Sequence, residues 1–295
     1  MKNKTTAMLA TLALLATAAP AAALAQPPGP VREREPRTDA PPIKPYKVIL
    51  VGDSTTAVGS GWGSAFCDHH VKSSVACLNL GRGGRSTRSY RAEGSWDIAL
   101  AEAKVPGYAA TYVLIQFAHN DQSSKGERWT DLSTEFPANL RRFVEDVRAA
   151  GAQPVLLTPL TRREFAGGQL KNTLDVWSEE VRKVAAETKA PLVDLNRSSA
   201  RIVQKLGPVD SMKLAQAEPI ETEVAAAKAG TTLPPRAAEE ARQPDAPVTE
   251  TGPRGQQVRK FDYTHVGDTG AQVFSKLVAD DLAAAVPGLR SQLVP

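Results

Sequence analysis

Short apolar runs that stop on small or polar residues recur along this chain. Val48-Ile49-Leu50-Val51 breaks into Gly52-Asp53-Ser54-Thr55, and residues 75–80 break into Gly81-Arg82-Gly83-Gly84. Residues 111–117 break into Ala118-His119-Asn120-Asp121, and residues 154–158 stop at Pro159. Together with residues 191–195 these runs predict five strands, the first over 47–51. Other stretches repeat at three and four residues. Phe136, Leu140, Phe143, Val144 and Val147 predict a helix that ends at Gly151. Residues 174–189 predict a second, with Val176, Trp177, Val181 and Val184 on its apolar side. Residues 269–286 predict the last, with Val273, Phe274, Leu277, Val278 and Leu282 in register and Asp268 or Thr269 as its cap. Continuous apolar strands alternating with amphipathic helices predict a parallel sheet covered on both faces. The expected architecture is one three-layer α/β/α domain with about five parallel strands.

Three stretches fall outside this pattern. In residues 1–25, Lys2 and Lys4 precede an apolar run that closes on Ala23-Leu24-Ala25, which reads as a secretory signal peptide. The run is shorter than the ~20 apolar residues a membrane-spanning helix needs. Residues 26–45 are rich in proline and charge and read as an extended tether, with the domain occupying residues 46–295. Residues 207–258 carry seven prolines among Ala and Glu, and read as a low-complexity surface insertion rather than a substrate lid, with a short helix around 221–228. Removing Lys2 and Lys4 takes the formal charge from +4 to +2, so the mature protein is nearly neutral. No nucleic-acid partner is expected from such a balance, and no membrane partner once the leader is gone. An exported, monomeric protein, periplasmic or extracellular, is the expectation.

Export bears on Cys67 and Cys77, the only cysteines, which an oxidising compartment allows to pair across a short loop. Asp68-His69-His70 beside Cys67 lacks the spacing of a metal site, so no metal is expected.

The chemistry begins with Ser54, placed at a strand's carboxyl end, where open α/β sheets bind ligands. A serine hydroxyl needs a base to become a nucleophile, and the base needs an orienting partner. His265 and Asp262, three residues apart, suit those roles. Three strand ends also offer donors to an oxyanion: the Ser54 amide, the Gly84 amide and the Asn120 side chain. Taken singly, each feature has a commonplace alternative, such as a capping Asn or a surface Asp–His pair.

In their order and placement the blocks Gly52-Asp53-Ser54-Thr55, Gly84, Asn120 and Asp262 with His265 resemble the SGNH, or GDSL-type, hydrolases. That resemblance, from about residue 47 to residue 286, implies a flavodoxin-like sheet and a Ser54–His265–Asp262 triad with an oxyanion hole from Ser54, Gly84 and Asn120. The wording Gly-Asp-Ser-Thr-Thr-Ala, then Asn79 with Gly84-Arg85-Ser86-Thr87-Arg88-Ser89-Tyr90, then His119-Asn120-Asp121, is most similar to rhamnogalacturonan acetylesterases. Ala118 departs from that group, which usually has glycine there, as does the long insertion before Asp262.

The implied partner is an acetylated polysaccharide, and the implied activity is serine-dependent removal of acetyl groups from pectic rhamnogalacturonan without a metal or organic cofactor. Such a substrate carries carboxylates. Arg85, Arg88 and Arg82 are therefore candidates to hold it, or else they brace their own loop. Trp62 and Trp96 are candidates to stack on sugars, against the core role commoner for tryptophan. The competing readings are a xylan acetylesterase, thioesterase or lysophospholipase on the same machinery, or a non-catalytic glycan-binding protein.

Overall fold

A computed structural model of the chain describes residues 44–122, 126–233 and 259–294. The leader, nearly all of the tether and residues 234–258 of the insertion lie outside the described residues.

Five parallel strands form one sheet: β1 (Tyr46–Gly52), β2 (Val75–Asn79), β3 (Thr111–Gln116), β4 (Gln153–Leu157) and, after the two-residue strands β5 (Phe165–Ala166) and β6 (Gln169–Leu170) of a separate hairpin, β7 (Leu192–Val193). Their order is β2-β1-β3-β4-β7, which is the flavodoxin-like arrangement. The register Leu50↔Leu114 and Leu114↔Val155 keeps like residues level across the sheet. Alternation then splits the apolar residues between two cores. Val48, Leu50, Tyr112, Leu114, Val155 and Leu157 face one layer, while Ile49, Val51, Val113, Ile115 and Leu156 face the other. Four consecutive residues of β1, Val48 to Val51, are fully buried. At roughly 1.5–3 kcal/mol per buried aliphatic side chain, burial on both faces is what holds this strand at the centre.

Helix α1 (Gly63–His69) packs with the C-terminal helix α8 (Asp268–Ala285) on the first face. On the second face lie α2 (Thr87–Ala92), α3 (Ser95–Ala103), α4 (Glu135–Ala149) and α5 (Asp175–Thr188). Phe274, Val278 and Leu282 of α8 and Phe136, Leu140 and Phe143 of α4 supply the apolar stripes. The cap of α8 differs from the expectation. Gly267 occupies the cap position in extended backbone and Asp268 is the first helical residue, where its charge suits the positive end of the helix.

The insertion also begins later than its composition suggests. Helix α6 (Leu195–Asp210) kinks at Gly207–Pro208, a 3₁₀ turn follows at Ser211–Leu214, and α7 (Glu221–Lys228) comes next. Met212 and Ala227 pack with Phe261 and Tyr263 in a small third core, so residues 207–233 are part of the domain. Cys67 and Cys77 form a disulfide between α1 and β2.

Candidate functional site

The carboxyl ends of β1, β2 and β3 meet at one edge of the domain, and β1 lies at the point where strand order reverses. After β1 the chain turns sharply. A Cβ at Gly52 would lie 2.5 Å from Thr56 Oγ1 and 2.6 Å from the Gln116 carbonyl, so the turn needs glycine. Asp53 is buried, and its Oδ1 accepts from the Thr55 amide and hydroxyl, each at 2.8 Å. Burial pushes the Asp53 carboxyl upward, but His119, whose Nδ1 lies 3.4 Å from Asp53 Oδ2, and the two Thr55 bonds hold it below the usual carboxylate range. The turn leaves Ser54 nearly buried, with its hydroxyl directed at His265.

His265 Nε2 lies 2.8 Å from Ser54 Oγ, and His265 Nδ1 lies 2.8 Å from Asp262 Oδ2. The structure thus brings three residues, two of them more than 200 positions from the first, into one hydrogen-bonded line. The other oxygen of Asp262 accepts from the amides of Thr264 (2.7 Å) and His265 (2.6 Å), which fixes the carboxylate relative to the ring. Burial raises the Asp262 pKa, but the His265 ring and these amides outweigh it and hold the group below the usual range. A carboxylate that stays ionised can orient the imidazole and steady a proton on it.

Arg163, which composition and spacing did not single out, supports this loop from beneath. Its side chain is buried, and Nη2 donates to the carbonyls of Asp262 (2.9 Å) and His265 (2.8 Å), with Nη1 3.4 Å from the Thr264 carbonyl. The Arg163 amide also donates to the Tyr263 carbonyl at 2.8 Å. Burial pulls its pKa down to about 10, opposed in part by the Asp262 charge. The sequence signal was the pair Arg162-Arg163 after β4, in which nothing marks Arg163 as the buried member.

The oxyanion candidates come together on the opposite side. Gly84 has a φ of +77°, a conformation that favours glycine, and a Cβ on its neighbour Gly83 would stand 3.7 Å from Ser54 Cβ. Among the described residues neither the Ser54 nor the Gly84 amide has a protein acceptor. Asn120 Nδ2 donates to the Arg85 carbonyl at 3.0 Å, which leaves its second N–H free to point into the site. Asp121 ties the same two loops together. Its Oδ1 accepts from the Thr87 amide and hydroxyl and from Thr130, and burial pushes its carboxyl up to about 7 against those bonds.

The remaining candidates take other roles. Arg85 is engaged by Glu93 and the Gly83 carbonyl, at 2.8 Å each, and Arg88 makes a two-pronged pair with Glu135. Arg82 donates to Ser95 and sits 3.5 Å from Glu93. Arg82 and Arg85 brace the glycine loop and Arg88 ties α2 to α4, so each is engaged within the protein. Trp62 and Trp96 are core residues: both are buried, the Trp62 indole N–H donates to buried Gln116 at 2.6 Å, and the Trp96 indole N–H donates to half-buried Asp146 at 2.9 Å. Among the described residues no group of three His, Cys, Asp or Glu side chains could hold a metal, and no helix is long and apolar enough to cross a membrane.

Comparisons with known proteins bear on the family and the fold. Rhamnogalacturonan acetylesterase RhgT of Bacillus subtilis is 34% identical over 179 residues, covering 58% of this chain and 74% of its own. The probable rhamnogalacturonan acetylesterase YesY of the same organism is 30% identical over 167 residues, covering 54% and 75%. The crystal structure of Bacillus subtilis YxiM superimposes with a TM-score of 0.55 at 19% identity, over 82% of this chain and 57% of that longer one, a likeness of fold. A sequence model of the GDSL-like lipase/acylhydrolase family matches residues 50–212, and the chain belongs to that family.

Proposed function

We propose that the protein is an exported serine esterase that removes acetyl groups from pectic polysaccharide, rhamnogalacturonan in particular. The observation that carries the catalytic part is the unbroken line Ser54 Oγ–His265 Nε2–Asp262 Oδ2. In this reading His265 takes the Ser54 proton as Oγ attacks the acetyl carbonyl, and the charge on the carbonyl oxygen is met by the Ser54 and Gly84 amides and Asn120. As the intermediate collapses and the bond to the sugar breaks, His265 gives that proton to the departing sugar oxygen, leaving Ser54 acetylated. Water, deprotonated by the same ring, cleaves the acetyl-serine to acetate and restores Ser54.

The substrate rests on the two relatives named rhamnogalacturonan acetylesterase. Export is supported by the character of residues 1–25 and by the Cys67–Cys77 disulfide, which persists in oxidising compartments. The test is acetate release from acetylated rhamnogalacturonan, acetylated xylan and 4-nitrophenyl acetate, by wild type and by Ser54→Ala. Activity should be highest on the first substrate and vanish on all three in the variant. An active Ser54→Ala protein removes the mechanism, whereas a preference for xylan removes only the substrate.

A further inference from the structure

The arginines nearest to the glycine block in sequence are occupied, so a uronate substrate would need another cation. Arg128 is that group. Its guanidinium covers Gly84: a Cβ there would lie 3.5 Å from Cζ, 3.5 Å from Nη1 and 3.6 Å from Nη2. Three nearly equal distances mean that the planar group presents its face to the glycine and leaves its N–H edges to point sideways. The side chain is exposed, and among the described residues no carboxylate lies within ion-pair distance of it. Resting on backbone also limits its rotamers, so little freedom is lost when the edge meets a ligand.

The surroundings form a place for a sugar. A cavity of about 480 Å³ is lined by Gly84, Ser89 and Gly126 together with the charged Arg85, Glu93, Glu127 and Arg128. Glu93 is already neutralised. Burial raises its pKa, but Ser95, Arg85 and Arg82 more than offset that and keep it ionised and paired. Glu127 is exposed and is the one acidic group in the cavity that would repel a carboxylate. Trp129, next in the chain, is 42% exposed, unlike the buried Trp62 and Trp96. Loop residues 126–130 are anchored at their end, where Thr130 donates through its amide and hydroxyl to Asp121.

From this geometry we infer that Arg128 is a specificity residue that binds a uronate carboxylate at the edge of the oxyanion pocket. The inference rests on the esterase reading above. A carboxylate matches the planar N–H edge of arginine in a two-point contact that the compact lysine ammonium cannot reproduce. The sugar that carries the acetyl group, or its neighbour, would present that carboxylate while the ester carbonyl accepts from the Gly84 amide.

The test compares wild type with Arg128→Gln, Arg128→Lys and Glu127→Gln. Unacetylated trigalacturonate is used as a competitive inhibitor of 4-nitrophenyl acetate hydrolysis, with xylotriose as the neutral counterpart. The inhibition constant for trigalacturonate should rise about three- to tenfold in Arg128→Gln and less in Arg128→Lys, and it should fall in Glu127→Gln. Xylotriose inhibition should be the same in all four proteins, and 0.5 M salt should erase the trigalacturonate differences. On acetylated rhamnogalacturonan the loss in Arg128→Gln, relative to the neutral ester, should appear in KM rather than kcat. The inference fails if trigalacturonate does not inhibit wild type, or if Arg128→Gln shifts both sugars equally. Should wild type prefer acetylated xylan while trigalacturonate inhibition still depends on Arg128, the rhamnogalacturonan reading falls and the carboxylate site stands.

Discussion

Arg163 gives the sharpest test of how the Asp262–His265 loop is held. Replacing it by methionine keeps the side-chain length and removes the donors to the Asp262 and His265 carbonyls, at 2.9 and 2.8 Å. Each bond to a charged donor is worth roughly 1.5–3 kcal/mol, so the loss is about 3–6 kcal/mol. Against it stands the burden of the buried guanidinium, whose descent from 12.5 to about 10 corresponds to roughly 3 kcal/mol that methionine does not bear. The net destabilisation is then about 0–3 kcal/mol, small enough for a protein of ordinary stability to stay folded. Activity should suffer more. The loop would relax on the side where Arg163 held it, and a shift of about 1 Å in the His265 ring lowers turnover roughly a hundredfold. Kinetics on 4-nitrophenyl acetate should therefore show kcat falling about 10²-fold with KM little changed, since Arg163 is buried away from substrate. Urea titration reports the stability in parallel, and Arg163→Lys should fall between the two. A folded Arg163→Met protein with kcat within threefold of wild type would refute the assignment.

Other consequences are equally direct. Replacing Cys67 and Cys77 by serine should lower stability by about 2–3 kcal/mol, as expected for a closed loop of this size, and lower the melting temperature by roughly 5–10 °C; dithiothreitol on wild type should do the same, and an unchanged midpoint would contradict it. Asp121, held near 7, keeps its proton more tightly folded than unfolded, so its stabilising contribution is complete below about 3.8 and is lost as pH rises through about 7. Asp121→Asn, which keeps an acceptor toward Thr87 and Thr130, should therefore gain on wild type between pH 4 and 8 by at most about 4 kcal/mol, and a pH-independent difference in urea midpoints would oppose this. Ala118 has a φ of 133°, where a side chain costs roughly 1–3 kcal/mol. Glycine relieves that strain but loses about 0.5–1 kcal/mol in chain entropy and about 0.8 kcal/mol for the methyl group. Thermal unfolding should therefore rank Gly equal to or slightly above Ala, with Val far below; a Val variant as stable as wild type would sink the argument.

The sheet was legible in the chain because strands buried on both faces must be apolar at every position, which is a dense signal even over five residues. The last strand was the weakest in this respect. Five residues were expected and only Leu192–Val193 pair, because β7 has a single neighbour and Leu195 already begins α6. Helices α2 and α3 were hidden by their length. The only cue to α2 is Ser86 with Ser89, which exchange side-chain and backbone hydrogen bonds as a capping box, a role usually filled by Glu or Gln at the fourth position. The departure at Ala118 marks a backbone position, at φ 133°, outside the ordinary range for alanine, which suits the glycine that the resemblance leads one to expect there. Arg163 and Arg128 were invisible for a different reason. An arginine in a loop has no periodicity and no fixed spacing to its partners, so only tertiary structure separates one that holds a loop from one that faces solvent.

The sequence blocks that single out this family consist mostly of residues that fasten one loop to another. Asp121 accepts from Thr87, Asn120 donates to the Arg85 carbonyl, Gln116 joins Trp62 to Thr55, and Ser60 donates to the Ser54 carbonyl. The Val266 amide in turn donates to the Ser60 carbonyl, so the histidine loop is tied back to the serine turn. In the proposed mechanism only Ser54, His265 and the oxyanion donors need to face the reacting atoms, with Asp262 behind the His265 ring. The rest convert four separated segments into one rigid frame, and precision of that kind must be held to a fraction of an ångström for catalysis. Such a frame leaves little freedom for tuning substrate choice within the blocks themselves, because a change at Thr87 or Asn79 would shift the reacting groups along with the pocket. Selectivity is free to vary on segments that touch the frame without belonging to it. Residues 126–130, anchored by Thr130 and laying Arg128 over Gly84, are such a segment, and a change there can alter which sugar is held while the line from Ser54 to Asp262 stays in place.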